Sequence, residues 1–411
     1  MTSIPSGNSK IKNLIKESDN FGKELKFLYY ILEKFGEVRL VGGCVRDMLI
    51  GIEPKDVDIA TSILPEKLID ILSKNEIKCF PTGIEFGTIT AVVDQKAFEI
   101  TTLRKDISTD GRRATVKFTN DWFEDAKRRD FTINAMYCDL NGNITDFFNG
   151  IDDLKNKKIK FIGDPEHRIE EDFLRILRYF RFFAYLGGSN IDESSFSAVI
   201  KLKSGLQKIS GERIKAEMFK LFNNNFISEC FVLFKKSGVD EYIHLPMLSN
   251  LLNINFVTGN YIVNLVLVFR ALNLSLSKLE DIFIRWRLSN AEKKEFCFLM
   301  NYNYSIDLHE AINIHKREFY KINGYFENAV LINAAEKEIN NFKKAKELIC
   351  ISKNWHYPIF PITGEDITAL GFVREEIGII KNKLLDIWIE NDFSNSKEEL
   401  LSMISKTNSY I

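Results

Sequence analysis

Residues 40–62 read LVGGCVRDMLIGIEPKDVDIATS. An apolar pair runs into Gly42 and Gly43, Arg46 follows three residues later, and Asp56 and Asp58 open a β-branched run. Adjacent glycines let backbone N–H groups approach an anion with no Cβ in the way. Arg46, at the start of a helix, reaches the same anion while the helix amides face it. On a strand, residues i and i+2 share a face, so Asp56 and Asp58 stand side by side. Two carboxylates that close repel each other unless cations lie between them. Hard oxygen donors on a β scaffold suit Mg²⁺, with water and phosphate oxygens as its other ligands. An isolated D-x-D is usually a solvated strand end and a lone Gly-Gly a turn. Their order and spacing carry the reading: a site that holds a polyphosphate beside metal ions at Asp56 and Asp58.

Around this stretch the chain reads as mixed α/β. GTITAVV (87–93) and FEITTL (98–103) are β-branched runs joined by the turn-like DQKA, which predicts an antiparallel hairpin. ATVKFT (114–119) alternates with period two, and PEKLIDILSKN (65–75) predicts a short helix with Pro65 in its first turn. From about Arg168 the pattern becomes helical and stays so. In RIEEDFLRILRYFRFFAYL (168–186), Phe173, Ile176, Leu177, Phe180 and Ala184 form one apolar stripe, which predicts a single continuous helix. WHYPIFPITGEDITALGF (355–372) concentrates Pro and Gly and marks the entry to a last helical unit. No repeat of 20–50 residues is visible.

Composition narrows the classes. The 411 residues, 45% hydrophobic and 27% charged, are those of an ordinary globular chain long enough for several domains. A net charge of −1 means that a polyanion must be held by local patches. Six scattered cysteines without a CxxC pair argue against a zinc site or a disulfide framework, and fit reduced thiols in a cytosol-like compartment. YIVNLVLVF (261–269) is cut by Asn264 and reads as a buried helix rather than a membrane span, and the N-terminus lacks the apolar run of a signal peptide.

A second cluster, DAKRRDFTINAMY (125–137), offers the paired guanidiniums Arg128 and Arg129, the acid Asp130, and Asn134, whose amide suits a ribose hydroxyl. RRDFTINAM together with the opening stretch resembles class II tRNA nucleotidyltransferases (CCA-adding enzymes) and the related bacterial poly(A) polymerases. The resemblance continues through DFFNGIDDLKNKKIKFIGDP, RIEEDFLRILRYFRF, ISGERIKAEM and FPITGEDITALG, in the family's order. It implies an α+β fold: a polymerase-β-like nucleotidyltransferase head (1–150) in mixed sheet and helices, then an all-helical neck (151–222), body (223–355) and tail (356–411) that contacts tRNA. It also implies template-independent addition of C, C and A to the tRNA 3′ end from CTP and ATP, with Asp56 and Asp58 on two Mg²⁺ and pyrophosphate leaving. The RNA would be read along its acceptor stem and elbow, with no membrane and no protein partner, in a bacterial cytoplasm or an organelle.

The helix geometry gives a physical account of base choice. With Phe173 at zero, Asp172, Arg175 and Arg178 fall at about 260°, 200° and 140°, opposite the apolar stripe. Cytosine and adenine each show an amine donor beside a ring-nitrogen acceptor, which Asp172 and Arg175 complement; uracil and guanine show the reverse. Arg181, one turn on, joins the nucleotide-binding set that the resemblance implies. The same resemblance places a flexible loop at LRKDISTDGRRATVKF (103–118), with Arg104, Asp106, Asp110 and Arg112, as the element that switches C to A. Lys201, Lys203, Lys208, Arg213 and Lys215 form a basic patch expected to face RNA. Two positions depart from the family pattern: Phe86 stands where many members have histidine, and Arg374-Glu375 where a glycine is frequent. A poly(A) polymerase, a split CC- or A-adding enzyme and an inactive RNA-binding scaffold are the rival readings.

Overall fold

The β-branched runs build one mixed sheet. The computed structural model describes residues 22–109, 114–188, 190–245, 254, 256–257, 259–302, 312–322, 324–337 and 342–407. The head begins with helix α1 (Gly22–Leu32), strand β1 (Val38–Val41), helix α2 (Gly43–Leu49), strand β2 (Asp58–Thr61) and helix α3 (Pro65–Lys74). Strands β3 (Lys78–Gly83), β4 (Thr88–Val93), β5 (Lys96–Thr102), β6 (Arg104–Thr109) and β7 (Ala114–Phe118) follow. Helix α4 (Trp122–Lys127), strands β8 (Met136–Cys138) and β9 (Ile144–Asp146), and helix α5 (Gly150–Lys155) close it. The large sheet has the order β3-β4-β5-β2-β1-β8-β9, with β2 parallel to β5 and the other pairs antiparallel.

The predicted hairpin is β4–β5. Its turn is tighter than DQKA suggested: Asp94 and Gln95 alone reverse the chain, both at positive φ, as two-residue hairpin turns require. The predicted helix at Pro65 is present, with proline in its first turn. ATVKFT is β7, but it pairs only with β6 in a separate two-stranded ribbon. The described part of the expected flexible loop is therefore strand, while Asp110 and Arg112 lie outside the described residues. Under the sheet, Val41, Ala60, Leu103, Trp122, Ala126, Ala135, Tyr137 and Ile162 share one buried cluster.

Helical structure then takes over: α6 (Pro165–Glu171), α7 (Leu174–Leu186), α8 (Glu193–Leu202), α9 (Gly211–Phe222) and α10 (Ile227–Ser237). The continuous helix expected over 168–186 is broken at Asp172, whose backbone is extended (φ −157°, ψ 105°). Its carboxylate accepts from Leu174 N at 3.1 Å, a local bond that competes with helix propagation. The apolar stripe persists beyond the break, with Ile176, Leu177, Phe180 and Ala184 buried. It packs against α9 and α10, and Phe180 stacks on Phe234 at 4.1 Å.

The chain divides into two compact units, 1–252 with 277–288, and 253–276 with 289–411. In the second unit the apolar run at 261 is a buried helix, Tyr261–Ala271. Its Asn264 is satisfied by Val257, accepting from N at 2.7 Å and donating to O at 2.9 Å. The C-terminal helices enclose a core of Ile362, Ile367, Leu384, Trp388, Ile389, Leu400 and Ile404.

Gly150 seats α5 against the turn that carries Asn134: a Cβ there would lie 2.3 Å from the Thr132 carbonyl oxygen. Gly150→Ala is expected to cost about 1–3 kcal/mol, read as a lower midpoint in urea unfolding.

Candidate active site

One end of the large sheet collects the sequence-predicted residues. β1 ends at Val41, β2 runs antiparallel to it from Asp58, and β8 begins at Met136, so three strand ends meet there. Gly42 turns the chain with φ +76°, a conformation an L side chain resists, and its N–H donates to Met136 O at 3.2 Å. Arg46 is buried one turn into α2. Its Nη1 donates to Asn134 Oδ1 at 2.7 Å and its Nε to Asp47 Oδ1 at 2.9 Å. Its guanidinium lies over the rings of Phe182 (5.1 Å) and Tyr185 (4.8 Å), and the Tyr185 hydroxyl donates to Asp47 Oδ1 at 2.7 Å.

Asp58 opens β2 beside Glu99 of β5. Burial, then the charge of Glu99, raises its carboxyl above the ordinary range; Arg129 opposes this and Asp56 adds to it. Asp56 is not on the strand as expected. It lies in an exposed bend two residues earlier, because β1 and β5 offer the chain no ladder partner before Asp58. The charges of Glu99 and Asp56 thus act on Asp58 with Arg129 against them, a local negative charge that suits a hard cation.

The RRDFTIN cluster divides by direction. Asp125, fully buried, holds both arginines: Oδ1 accepts from Arg128 Nε at 2.9 Å, and Oδ2 from Arg129 Nη2 at 3.1 Å and from the Tyr137 hydroxyl at 2.7 Å. Burial alone would raise Asp125, but Arg129 and Arg128 hold its carboxyl well below the usual range. Asp130 accepts from Arg178 Nε at 2.7 Å, Phe131 N at 2.8 Å and Asn134 Nδ2 at 3.2 Å. Burial opposes these bonds, yet Arg178 chiefly lowers the carboxyl to about 2. The Asn134 amide, expected to meet a ribose, bridges Arg46 and Asp130 at the cavity wall.

On the neck, the break at Asp172 overturns the shared-face helix geometry. Asp172 Oδ2 accepts from Arg213 Nη2 at 2.7 Å. Arg175 bonds through Nη1 to Glu171 and to Arg168 O (2.6 Å). Arg181 Nε lies 2.9 Å from Glu217 Oε2 and leans over Phe182 at 4.2 Å; burial first, despite Glu217, lowers its pKa to about 10.

These groups enclose a cavity of about 530 Å³, lined from the head by Gly42, Gly43, Arg46, Asp58, Arg129, Asp130 and Asn134. Asp172, Arg175, Arg178, Arg181, Phe182 and Arg213 line it from the helices. Asp56 and Arg128 do not. Arg128 lines a neighbouring cavity of about 370 Å³ with Asp106, His167 and Arg168. Arg104, on β6, donates through Nη1 to Phe86 O and through its backbone N to Asp125 Oδ1 at 3.3 Å. Of the basic patch, Lys201 pairs with Glu166, Lys203 bonds to Ser237 O and Lys208 sits over Phe173; Arg213 alone lines the large cavity.

Known proteins share this arrangement. Residues 38–160 match the family described as "Poly A polymerase head domain", and 188–252 match "Probable RNA and SrmB-binding site of polymerase A". The chain is 35% identical over 400 residues to the CCA tRNA nucleotidyltransferase 1, mitochondrial, of Mus musculus, covering 94% of this chain and 91% of that protein. The chain belongs to the CCA-adding tRNA nucleotidyltransferase family. The CCA-adding enzyme of Oceanobacillus iheyensis is 35% identical over 297 residues, covering 70% of this chain and 72% of its own. The crystal structure of the Bacillus stearothermophilus CCA-adding enzyme in complex with CTP is similar at a TM-score of 0.75 and 25% identity, over 94% of this chain and 97% of that one.

Within this family frame, sequence reading missed Asp125, Glu171 and Glu217, the acids that hold the arginines, and Glu99. Asp125 and Glu171 did leave a local signal, each three and four residues from the arginines it pairs with. Replacing Asp125 by Asn leaves two buried guanidiniums facing a neutral amide, with an expected loss of about 3–5 kcal/mol in urea unfolding at pH 7. The depressed carboxyl of Asp130 stabilises the fold above its unfolded value of about 3.9 and loses that contribution as pH falls toward about 2. Thermal midpoints are expected to drop over that window, with a shallower acid limb in Asp130→Asn.

Proposed function

We propose that this protein adds C, C and A to the 3′ end of tRNA, using CTP and ATP and no nucleic-acid template. The observation that carries the reading is the single cavity shared by Gly42, Gly43 and Asp58 at one side and Asp172, Arg175 and Arg178 at the other. A triphosphate and a base are held together there.

The chemistry is in-line transfer. The RNA 3′-oxygen attacks the α-phosphate, the bond to the bridging oxygen breaks and pyrophosphate leaves. Gly42 and Gly43 offer backbone to the triphosphate, with Arg46 and Arg129 beside it. Asp58 and Asp56 are the residues that would hold Mg²⁺; no three His, Cys, Asp or Glu side chains converge as a metal cluster among the described residues, so phosphate and water oxygens would complete the shell. When bound, two such ions activate the attacking hydroxyl and neutralise the leaving group. Asp172 accepts from the amine of cytosine or adenine and Arg175 donates to the ring nitrogen, whereas uracil and guanine leave buried polar groups unpaired at about 1–3 kcal/mol each. The β6–β7 ribbon carries Arg104 and Asp106 toward the C-to-A switch.

In this reading the head (1–150) and neck (151–222) carry the chemistry, and the body (223–355) and tail (356–411) grip the acceptor stem and elbow by shape and backbone. Among the described residues no helix is long and apolar enough to cross a membrane. The compartment we propose is cytosol-like; the mouse relative is named mitochondrial.

The test is extension of a tRNA transcript lacking its last three nucleotides, with Mg²⁺ and each nucleoside triphosphate, read at single-nucleotide resolution. Two additions with CTP alone and three with CTP plus ATP are expected. A long ATP ladder identifies a poly(A) polymerase, and no extension an inactive scaffold. Asp58→Asn is expected to lower the rate about a thousandfold, the equivalent of several kcal/mol of metal-derived stabilisation.

A further inference from the structure

We propose that Tyr185 is a positioning residue for triphosphate binding: it anchors Asp47, and through Asp47 it holds the Arg46 guanidinium against Gly42 and Gly43. The proposal rests on Arg46 lying beside the triphosphate.

Arg46 stands within the first turns of α2, and its guanidinium lies along the glycine pair: a Cβ on Gly43 would be 3.6 Å from Nη2. A side chain with so many rotors needs outside contacts to keep one orientation. Asn134 Oδ1 accepts from Nη1 at 2.7 Å. Asp47 Oδ1 accepts from Nε at 2.9 Å and lies 2.8 Å from Nη2. The rings of Phe182 and Tyr185 stand 5.1 and 4.8 Å from the guanidinium carbon, three residues apart on one face of α7.

Asp47 needs an anchor of its own, because a carboxylate held only by Arg46 would turn with it. Among the described residues, Tyr185 is the one other donor to that carboxylate. Its hydroxyl reaches the same Oδ1 at 2.7 Å, from 138 residues away. Burial first, then the bond to Asp47, pushes the phenol above its ordinary range, so the hydroxyl keeps its proton and donates. Phe183, Ala184 and Leu186 beside it are buried, which fixes the last turn of α7. Tyr185 thus touches Arg46 twice, through its ring and through the shared acceptor. Both contacts lie on the phosphate side of the cavity, away from Asp172 and Arg175, so their loss weakens every nucleotide alike.

The test titrates the full chain, with Mg²⁺, with inorganic tripolyphosphate, which carries no base. It also measures KM and kcat for CTP, ATP and UTP on tRNA acceptors, in the wild type, Tyr185→Phe, Tyr185→Leu and Arg46→Gln. Stoichiometry is fitted in the titration, so each Kd is independent of how much of a variant is folded. Tyr185→Phe keeps the ring. It is expected to weaken tripolyphosphate and to raise KM for CTP and ATP by one common factor of about five, the scale of one hydrogen bond, with the CTP-to-UTP ratio of kcat/KM unchanged. Tyr185→Leu, which loses the ring as well, is expected to lose more. Tripolyphosphate affinity that falls in Arg46→Gln but holds in both Tyr185 variants overturns the role of Tyr185 and leaves that of Arg46 standing. An affinity unchanged in Arg46→Gln as well overturns both. A CTP-to-UTP ratio that collapses along with the affinity in Tyr185→Phe means that the neck has loosened as a whole, which also overturns the positioning role.

Discussion

Six arginines line one cavity, and a guanidinium cannot shed its charge on burial. Each of the six has a carboxylate beside it, although Asp125 and Glu171 are shared with Arg128 and Arg168. Arg46 pairs with Asp47, Arg129 with Asp125, Arg175 with Glu171, Arg178 with Asp130, Arg181 with Glu217 and Arg213 with Asp172. Breaking one such buried pair strands a charge, which costs far more than the pair contributes. The pairs also cross between elements: Asp130 of the head holds Arg178 of the helices, and Tyr185 reaches back to Asp47. Matched charge is therefore what fixes the neck helices against the sheet end.

This matching shapes the proposed chemistry. In the proposed reading, arginines with acids beside them would position a nucleotide more than attract it. The Asp58 end is different, because Glu99 and Asp56 add negative charge there. A triphosphate, itself anionic, would enter there with cations. In the proposed reading a divalent metal would offset this charge, and the opposite wall would select the base.

Much of this was legible in the sequence because it is local. Gly42-Gly43 before a helix, Arg46 within its first turns, the β-branched hairpin and the apolar stripe of α7 all declare themselves within a few residues. The break at Asp172 did not, since the stripe resumes in phase after it and hides a gap of only two residues. Asp56 was misplaced because D-x-D looks like strand whether or not a neighbouring strand is there to pair with it. Some partners of the arginines were hidden for another reason: Arg46 meets Asn134 across 88 residues and Asp172 meets Arg213 across 41. Periodicity carries no information at that range. For the same reason Arg213, read from its neighbours, looked like part of a basic patch facing RNA.

If the cavity itself reads the base edge, discrimination must be present before any RNA binds. The most direct measurement is calorimetric titration of the protein alone, with Mg²⁺, by CTP, ATP, UTP and GTP. The account predicts that CTP and ATP bind while UTP and GTP bind at least about tenfold more weakly, as one or more unpaired buried polar groups require. Equal affinity for all four would contradict it, and would move base selection out of this cavity.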